Sequence, residues 1–286
     1  LYSVRAILAS RQLPNELVLA ILDYARYWVE KKRGPTDLEV LMDEEFSRDY
    51  SAAYPHLVVS AFPITLYPES EPPKIKEIEF CLVSHDQGWT TEDTRGTYTT
   101  SSFWEISILR PETGRIRSGR IHEDVLERLD QQLQQNLHRT SLYRSVESAT
   151  QTIWPRSHYL LLPRPCSKME PQRLHCNEMI NLTTRENDFN DGELDAVHEG
   201  KHAWYLQGNE AARGVHVFDG EMVPRRSIVW SCKANLRWVG DDGTGRGEDF
   251  VDSLQQGDCI VLWARAKRRG WENHIYGARV TIRYNI

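Results

Sequence analysis

The last thirty residues, 257–286, constrain the fold more than any other stretch. Gly257 and Asp258 signal a turn, and the apolar run Cys-Ile-Val-Leu-Trp-Ala-Arg-Ala follows at 259–266. A basic loop, 267–274, then leads into residues 275–286. There Tyr276, Ala278, Val280, Ile282, Tyr284 and Ile286 alternate with Gly277, Arg279, Thr281, Arg283 and Asn285. A period of two matches a pleated strand, whose successive side chains point to opposite faces. One face is expected in the core and the other, with its Arg and Thr, in water. A strand pair cannot bury such a face alone. The pattern therefore predicts a mainly β chain, an antiparallel β-sandwich of jelly-roll type.

Further strands are expected at 56–62, 75–83, 102–109, 203–207, 213–218 and 227–234. Residues 110–200 interrupt them with a partly helical insertion. In it Ile121, Val125, Leu129, Leu133 and Leu137 recur at four-residue steps, a narrow helical stripe with a Gln-rich polar face. The sandwich domain is thus expected over 55–286. Residues 1–54 read as a separate helical segment. Leu17, Ile21, Leu22, Ala25 and Trp28 follow helical spacing over 3–33, and Pro14 suits a first helical turn. Lys31, Lys32 and Arg33 fit the negative end of that helix's dipole. Leu38, Leu41, Met42 and Phe46 suggest one more short helix in the acidic stretch 37–54.

Charge and cysteine usage narrow the function classes. A net charge of −6 draws the chain to neither nucleic acid nor anionic membrane. No run approaches the roughly 20 apolar residues of a membrane span. The opening residues lack the charged and apolar regions of a signal peptide. Five cysteines (Cys81, Cys166, Cys176, Cys232 and Cys259) are scattered, with no Cys-x-x-Cys pair. Reduced thiols, and an intracellular protein of cytoplasm or nucleus, are expected.

Catalytic signatures are thin. The Gly-x-Ser-x-Gly of a nucleophile elbow is absent. His198-Glu199-Gly200-Lys201-His202 matches the zinc-protease spacing His-Glu-x-x-His, which needs both imidazoles on one helix face. Gly200 weakens such a helix and a β-like run follows directly, so no metal, cofactor or catalytic residue is expected. Residues 241–249, Asp-Asp-Gly-Thr-Gly-Arg-Gly-Glu-Asp, lack the Gly-Lys-Ser/Thr of a phosphate loop and read as a solvated connection.

Aromatic loops are the better candidates. His85, Asp86, Gln87 and Trp89 place an indole beside a carboxylate and an amide, a set that can stack on and hydrogen-bond a sugar or amide. Trp271, Asn273 and His274 form a chemically similar group. The competing reading is that each Trp plugs one end of the sandwich while Asp and Asn satisfy turn backbone. Five strand steps separate the two loops, which in simple up-and-down order sets them at opposite rims. An unrecognised strand inside 110–200 would bring them together, and a shared rim is expected.

The string Ser84-His-Asp-Gln-Gly-Trp89, with Gly96-Thr-Tyr98, Phe103-Trp-Glu105 and Trp204-x-Leu-Gln207, resembles a group of largely uncharacterised fungal proteins. Gly-Asp-x-Ile-x-x-Trp-Ala-Arg-Ala and Gly-Trp-x-Asn-His, from 257 to 274, extend that resemblance. It implies a fungal source and little about function. Leu13-Pro-Asn-Glu-Leu-Val-Leu-Ala-Ile-Leu-Asp-Tyr24 resembles the opening of an F-box. The order of a helix and then a sandwich is similar in architecture to F-box proteins with phloem-lectin-type domains. That resemblance implies a docking helix for a ubiquitin-ligase linker subunit, using Leu13, Pro14, Glu16, Leu17, Ile21 and Leu22. It also implies a glycan or protein ligand at the aromatic loops. The sequence thus predicts a non-catalytic binding module, with a ubiquitin-ligase adaptor as the alternative and an enzyme third.

Overall fold

The computed structural model describes residues 2–34, 39–42, 51–62, 73–91, 93–112, 143, 145–154, 159–165, 201–213, 223–235, 237–267 and 270–285. Two helices, α1 (Tyr2–Ser10) and α2 (Asn15–Tyr24), open the chain. Strands β1 (Val29–Arg33), β2 (Glu39–Met42), β3 (Ser51–Ser60), β4 (Lys74–His85) and β5 (Ser102–Pro111) follow. Helix α3 (Val146–Ile153) and β6 (Tyr159–Leu161) come next, then β7 (Trp204–Gly208) and β8 (Arg225–Ser231). A one-turn helix α4 (Phe250–Ser253) leads into β9 (Cys259–Lys267) and β10 (Glu272–Asn285).

The strands form two antiparallel sheets packed face to face. The front sheet has the order β1-β10-β4-β8, with β2 beside β1 on the same edge of β10. The back sheet has the order β3-β9-β5-β6, with β7 also on β5. Ile78, Phe80, Leu82, Val280 and Ile282 from the front meet Trp104, Ile106, Ile108, Ile260 and Leu262 from the back. Phe80, Trp230, Phe250 and Trp204 extend this core edge to face, with ring centroids 5.1 to 5.4 Å apart. Each such side chain contributes about 1.5–3 kcal/mol relative to exposure. The expected β-sandwich is what forms.

The back sheet is covered on its outer face as well. Helix α3, started by a reciprocal Ser145–Ser148 capping box, lays Val146, Ala149 and Ile153 over Val58, Val261 and Trp263. That second cover explains why β9 reads as continuously apolar from Cys259 to Ala264: every residue in the strand is buried.

Several expectations change. The helical reading of 3–33 ends at Tyr24, and the basic run Lys31, Lys32 and Arg33 lies in edge strand β1. There Lys31 donates to the carbonyls of Ser60 and Phe62 at 3.0 and 3.3 Å, an inward-pointing cation at a sheet edge. Residues 39–42 are a strand on β10, not part of a helix. The boundary expected at 54/55 falls inside β3. The helix expected at 121–137 and most of the strand at 213–218 lie outside the described residues.

The alternation of β10 also shifts. A bulge between Ile275 and Gly277 lets Ile275 and Ala278 both face the core. Tyr276, expected in the buried set, instead lies against His85 on the outer face. Residues 241–249 are not a free solvated loop either. Thr244 is buried and Trp230 Nε1 donates to the Gly245 carbonyl at 2.8 Å. A Cβ on Gly247, at φ 62°, would stand 2.0 Å from the Trp230 ring. Glycine is needed for the loop to lie flat on β7 and β8.

Candidate functional site

The two aromatic loops meet at one rim. Antiparallel pairing of β4 with β10 sets the end of β4 beside the start of β10, with His85 opposite His274. The parity that predicted opposite rims is broken inside the insertion. There β6 is the unrecognised strand, and both β6 and β7 run antiparallel to β5, so the step between them does not reverse direction. Trp89 ends up with its ring edge 3.5 Å from where a Cβ on Gly270 would stand.

Beneath the rim a buried polar network ties the sheets together. Trp104 Nε1 donates to Ser84 Oγ at 2.9 Å, and Ser84 Oγ donates to Asn209 Oδ1 at 2.8 Å. Asn209 Nδ2 donates to Ser102 Oγ and to Asn273 Oδ1 at 2.8 and 3.1 Å. Asn273 Nδ2 in turn donates to the carbonyls of Phe103 and Arg265 at 3.1 and 3.2 Å. Asn273 is therefore a structural link between the two sheets. Asp86 is fully buried, and its carboxylate accepts from the backbone N–H of Gly88 at 2.9 Å and of Ala212 at 2.5 Å. Burial raises its pKa despite those bonds. Trp271 is 6% exposed and plugs the sandwich end. Asp86 thus bonds loop backbone and Trp271 is buried, whereas Asn273 bonds carbonyls of β5 and β9 and no turn backbone among the described residues.

Gln87 joins the loops. Its Nε2 donates to the Trp89 carbonyl at 2.7 Å and its Oε1 accepts from the Glu272 N–H at 3.2 Å. His85 stacks on His274 with centroids 4.7 Å apart and planes 9° off parallel. His85 Nδ1 lies 2.5 Å from the Asp86 carbonyl, which can only accept, so Nδ1 carries the proton. Nε2 then accepts from the Tyr276 hydroxyl at 3.2 Å. Burial, reinforced by the neighbouring His274, holds the His85 pKa below its ordinary 6.5. His274 Nε2 pairs with Glu272 Oε2 at 2.6 Å, both side chains about a quarter exposed.

What faces solvent is Trp89, 59% exposed and tied through Gln87 to the Glu272 backbone, with Glu272, His274 and Tyr276 half-buried along the same strand β10. The arrangement is a displayed indole on a platform whose polar groups are already hydrogen-bonded. It suits stacking on a flat apolar face, flanked by a carboxylate and an imidazole that can accept or donate. The network partners Ser84, Ser102 and Asn209 had no sequence signal, because a buried Ser or Asn looks like any loop residue.

Elsewhere, His202 lies in a bend, and its Nδ1 pairs with Glu147 Oε1 at 2.9 Å. No helix carries His202 among the described residues, and His198 lies outside them. No cluster of three metal-ligating side chains occurs among the described residues. In α2, Val18 and Leu22 are buried, whereas Leu17, Ile21 and Tyr24 are 52%, 42% and 94% exposed. Pro14 and Glu16 are also exposed, and Leu13 is half-buried. No described helix is long and apolar enough to cross a membrane. Among the described residues Cys81, Cys232 and Cys259 form no disulfide, and burial pushes the Cys259 pKa up to about 12.

No protein-family model, curated protein or solved structure matches the chain.

Proposed function

We propose that this chain is a non-catalytic binding module whose ligand surface is the rim around Trp89. One observation carries the reading: Trp89 stays 59% exposed while the residues beneath it are locked in hydrogen bonds. A rigid, displayed aromatic loses little entropy on binding. A glycan fits the chemistry, with a sugar face stacked on the indole and its hydroxyls reaching Glu272 and His274. Five scattered cysteines with no Cys-x-x-Cys pair support action in a reducing, intracellular compartment. A printed glycan array probed with the whole chain and with Trp89→Ala tests the proposal. Hits that vanish in the variant support it. An empty array, or hits indifferent to Trp89, would remove it.

A second reading is favoured by a separate observation. Leu17, Ile21 and Tyr24 recur at helical spacing on the exposed side of α2. Together with the F-box-like opening, that apolar stripe supports docking to a ubiquitin-ligase linker subunit by a helix-in-groove mode. Leu22, expected in the docking set, packs inward and supports the helix instead. Pull-down with the purified linker subunit, lost in the double variant Leu17→Ala, Ile21→Ala, is the expected outcome. No pull-down by the native chain would leave α2 as a structural element only.

A further inference from the structure

A groove with a cavity volume of about 290 Å³ opens on the outer face of the front sheet, away from the Trp89 rim. Six residues of β4 separate Glu79 from His85, about 20 Å along the strand. At the groove's floor lies Glu77, whose side chain is 1% exposed. Three arginines converge on it. Arg283 Nη1 donates to Oε1 at 2.7 Å, Arg237 Nη1 approaches Oε1 at 3.3 Å, and Arg26 Nη2 pairs with Oε2.

Their roles differ. Arg283 is held on every side: its Nε reaches Glu30 and its Nη2 reaches Glu79, each at 2.7 Å. Arg26 and Arg237 are about 40% exposed and line the opening, each anchored to Glu77 through one nitrogen. Anchored guanidinium groups with further N–H donors at an open cavity are preorganised for an anion. Arg26 is fixed further by its place over the Trp28 ring, 4.9 Å from the centroid, and by a left-handed backbone at φ 53°.

Counting charge decides what kind of anion fits. The lining holds three arginines against Glu77 and Glu79, an excess of one positive charge. Glu30 behind Arg283 is offset by Lys32, its partner at 2.7 Å. A carboxylate balances that excess. A phosphate monoester, near −2 at neutral pH, leaves negative charge beside two glutamates. The remaining wall is Val229, Val239 and Trp28, with Ser227 at the exposed edge. The volume is at the lower end for small-molecule sites.

We propose that this groove binds a small monocarboxylic acid, its carboxylate held by Arg26 and Arg237 and its apolar body against Val229, Val239 and Trp28. Titration calorimetry of the whole chain at low salt, using benzoate, benzamide and phenyl phosphate as probes, tests it. Benzoate is expected to bind saturably, benzamide not at all, and phenyl phosphate more weakly than benzoate. Arg237→Gln is expected to weaken benzoate by about tenfold or more. Ser227→Trp, at an exposed position on the groove wall, should block it without removing a charge. Circular dichroism checks that both variants keep the fold. Absence of benzoate binding, or binding unchanged in both folded variants, would overturn the proposal. Tighter binding of phenyl phosphate would overturn its charge argument. Trp89→Ala should leave benzoate binding intact, which separates this site from the rim.

Discussion

The outer faces of the two sheets are opposites. On the back sheet, α3 and Trp154 seal the surface, and Trp154 meets Trp263 edge to face with centroids 6.2 Å apart. The charge buried there includes a matched pair, Arg265 with Glu105 at 2.6 Å, both nearly inaccessible. Arg265 also donates to the Ala52 carbonyl at 3.0 Å and lies over Phe103. On the front sheet the same strand geometry carries an open ladder of Arg and Glu, a groove, and the Trp89 rim. Burial on both faces makes the back sheet a scaffold. Exposure makes the front sheet the face where recognition is possible.

The comparison breaks most sharply at Arg265. Arg265→Leu leaves Glu105 buried without its partner and is expected to cost about 3–5 kcal/mol in urea unfolding. Glu30→Gln on the front sheet removes a more exposed contact to Arg283 and should cost at most about 1 kcal/mol. Equal losses would erase the distinction between the faces.

A smaller effect is expected where the sheets join. Asn209→Ala strands Asn273 Oδ1 and Ser84 Oγ inside the rim network, at a cost of about 1–3 kcal/mol in the same assay. Since that network fixes Trp89's platform, glycan hits should weaken along with stability. A stable variant with unchanged hits would detach the network from the site.

The gentlest probe is pH. The folded pKa of His85 lies below its ordinary 6.5, so the unfolded chain takes up that proton first. Stability present above pH 6.5 is therefore lost as pH falls from 6.5 through the folded pKa. Glu79 and Asp241 have lowered pKa values, opposed by burial but set by bonds to Arg283 and Gln207 respectively. Their contributions fade only below the ordinary carboxylate range. Melting temperatures at pH 7.5 and 5.5 should differ more for the native chain than for His85→Phe. An unchanged difference would remove His85 from the account.

Some of this was legible in the sequence, for physical reasons. The apolar run 259–264 of β9 and the alternation of β10 exposed both layers, and Trp89 stood out as an aromatic in a polar turn. The basic run 31–33 misled because cations suit a helix end and a strand edge equally. The bulge at Tyr276 is invisible to a period of two, since one extra residue reverses the phase. The arginine groove gathers positions 26, 77, 79, 237 and 283, which β4–β10 and β4–β8 pairing, the Val229–Val239 bridge and the 25–28 turn bring together. Whether Asp86 and Asn273 bind a ligand or the backbone depends on burial, which spacing does not encode.

The nine tryptophans report both faces at once. Indole Nε1–H resonances, recorded with and without a soluble paramagnetic relaxation agent, test the contrast most directly. Trp89 at the rim and Trp238, next to the Val239 that bridges to β8 of the front sheet, are 59% and 41% exposed and are predicted to broaden strongly. Trp154 and Trp263, fully buried on the back sheet, should be unaffected. A protected Trp89, or a bleached Trp263, would contradict the division into a sealed scaffold and a displayed binding face.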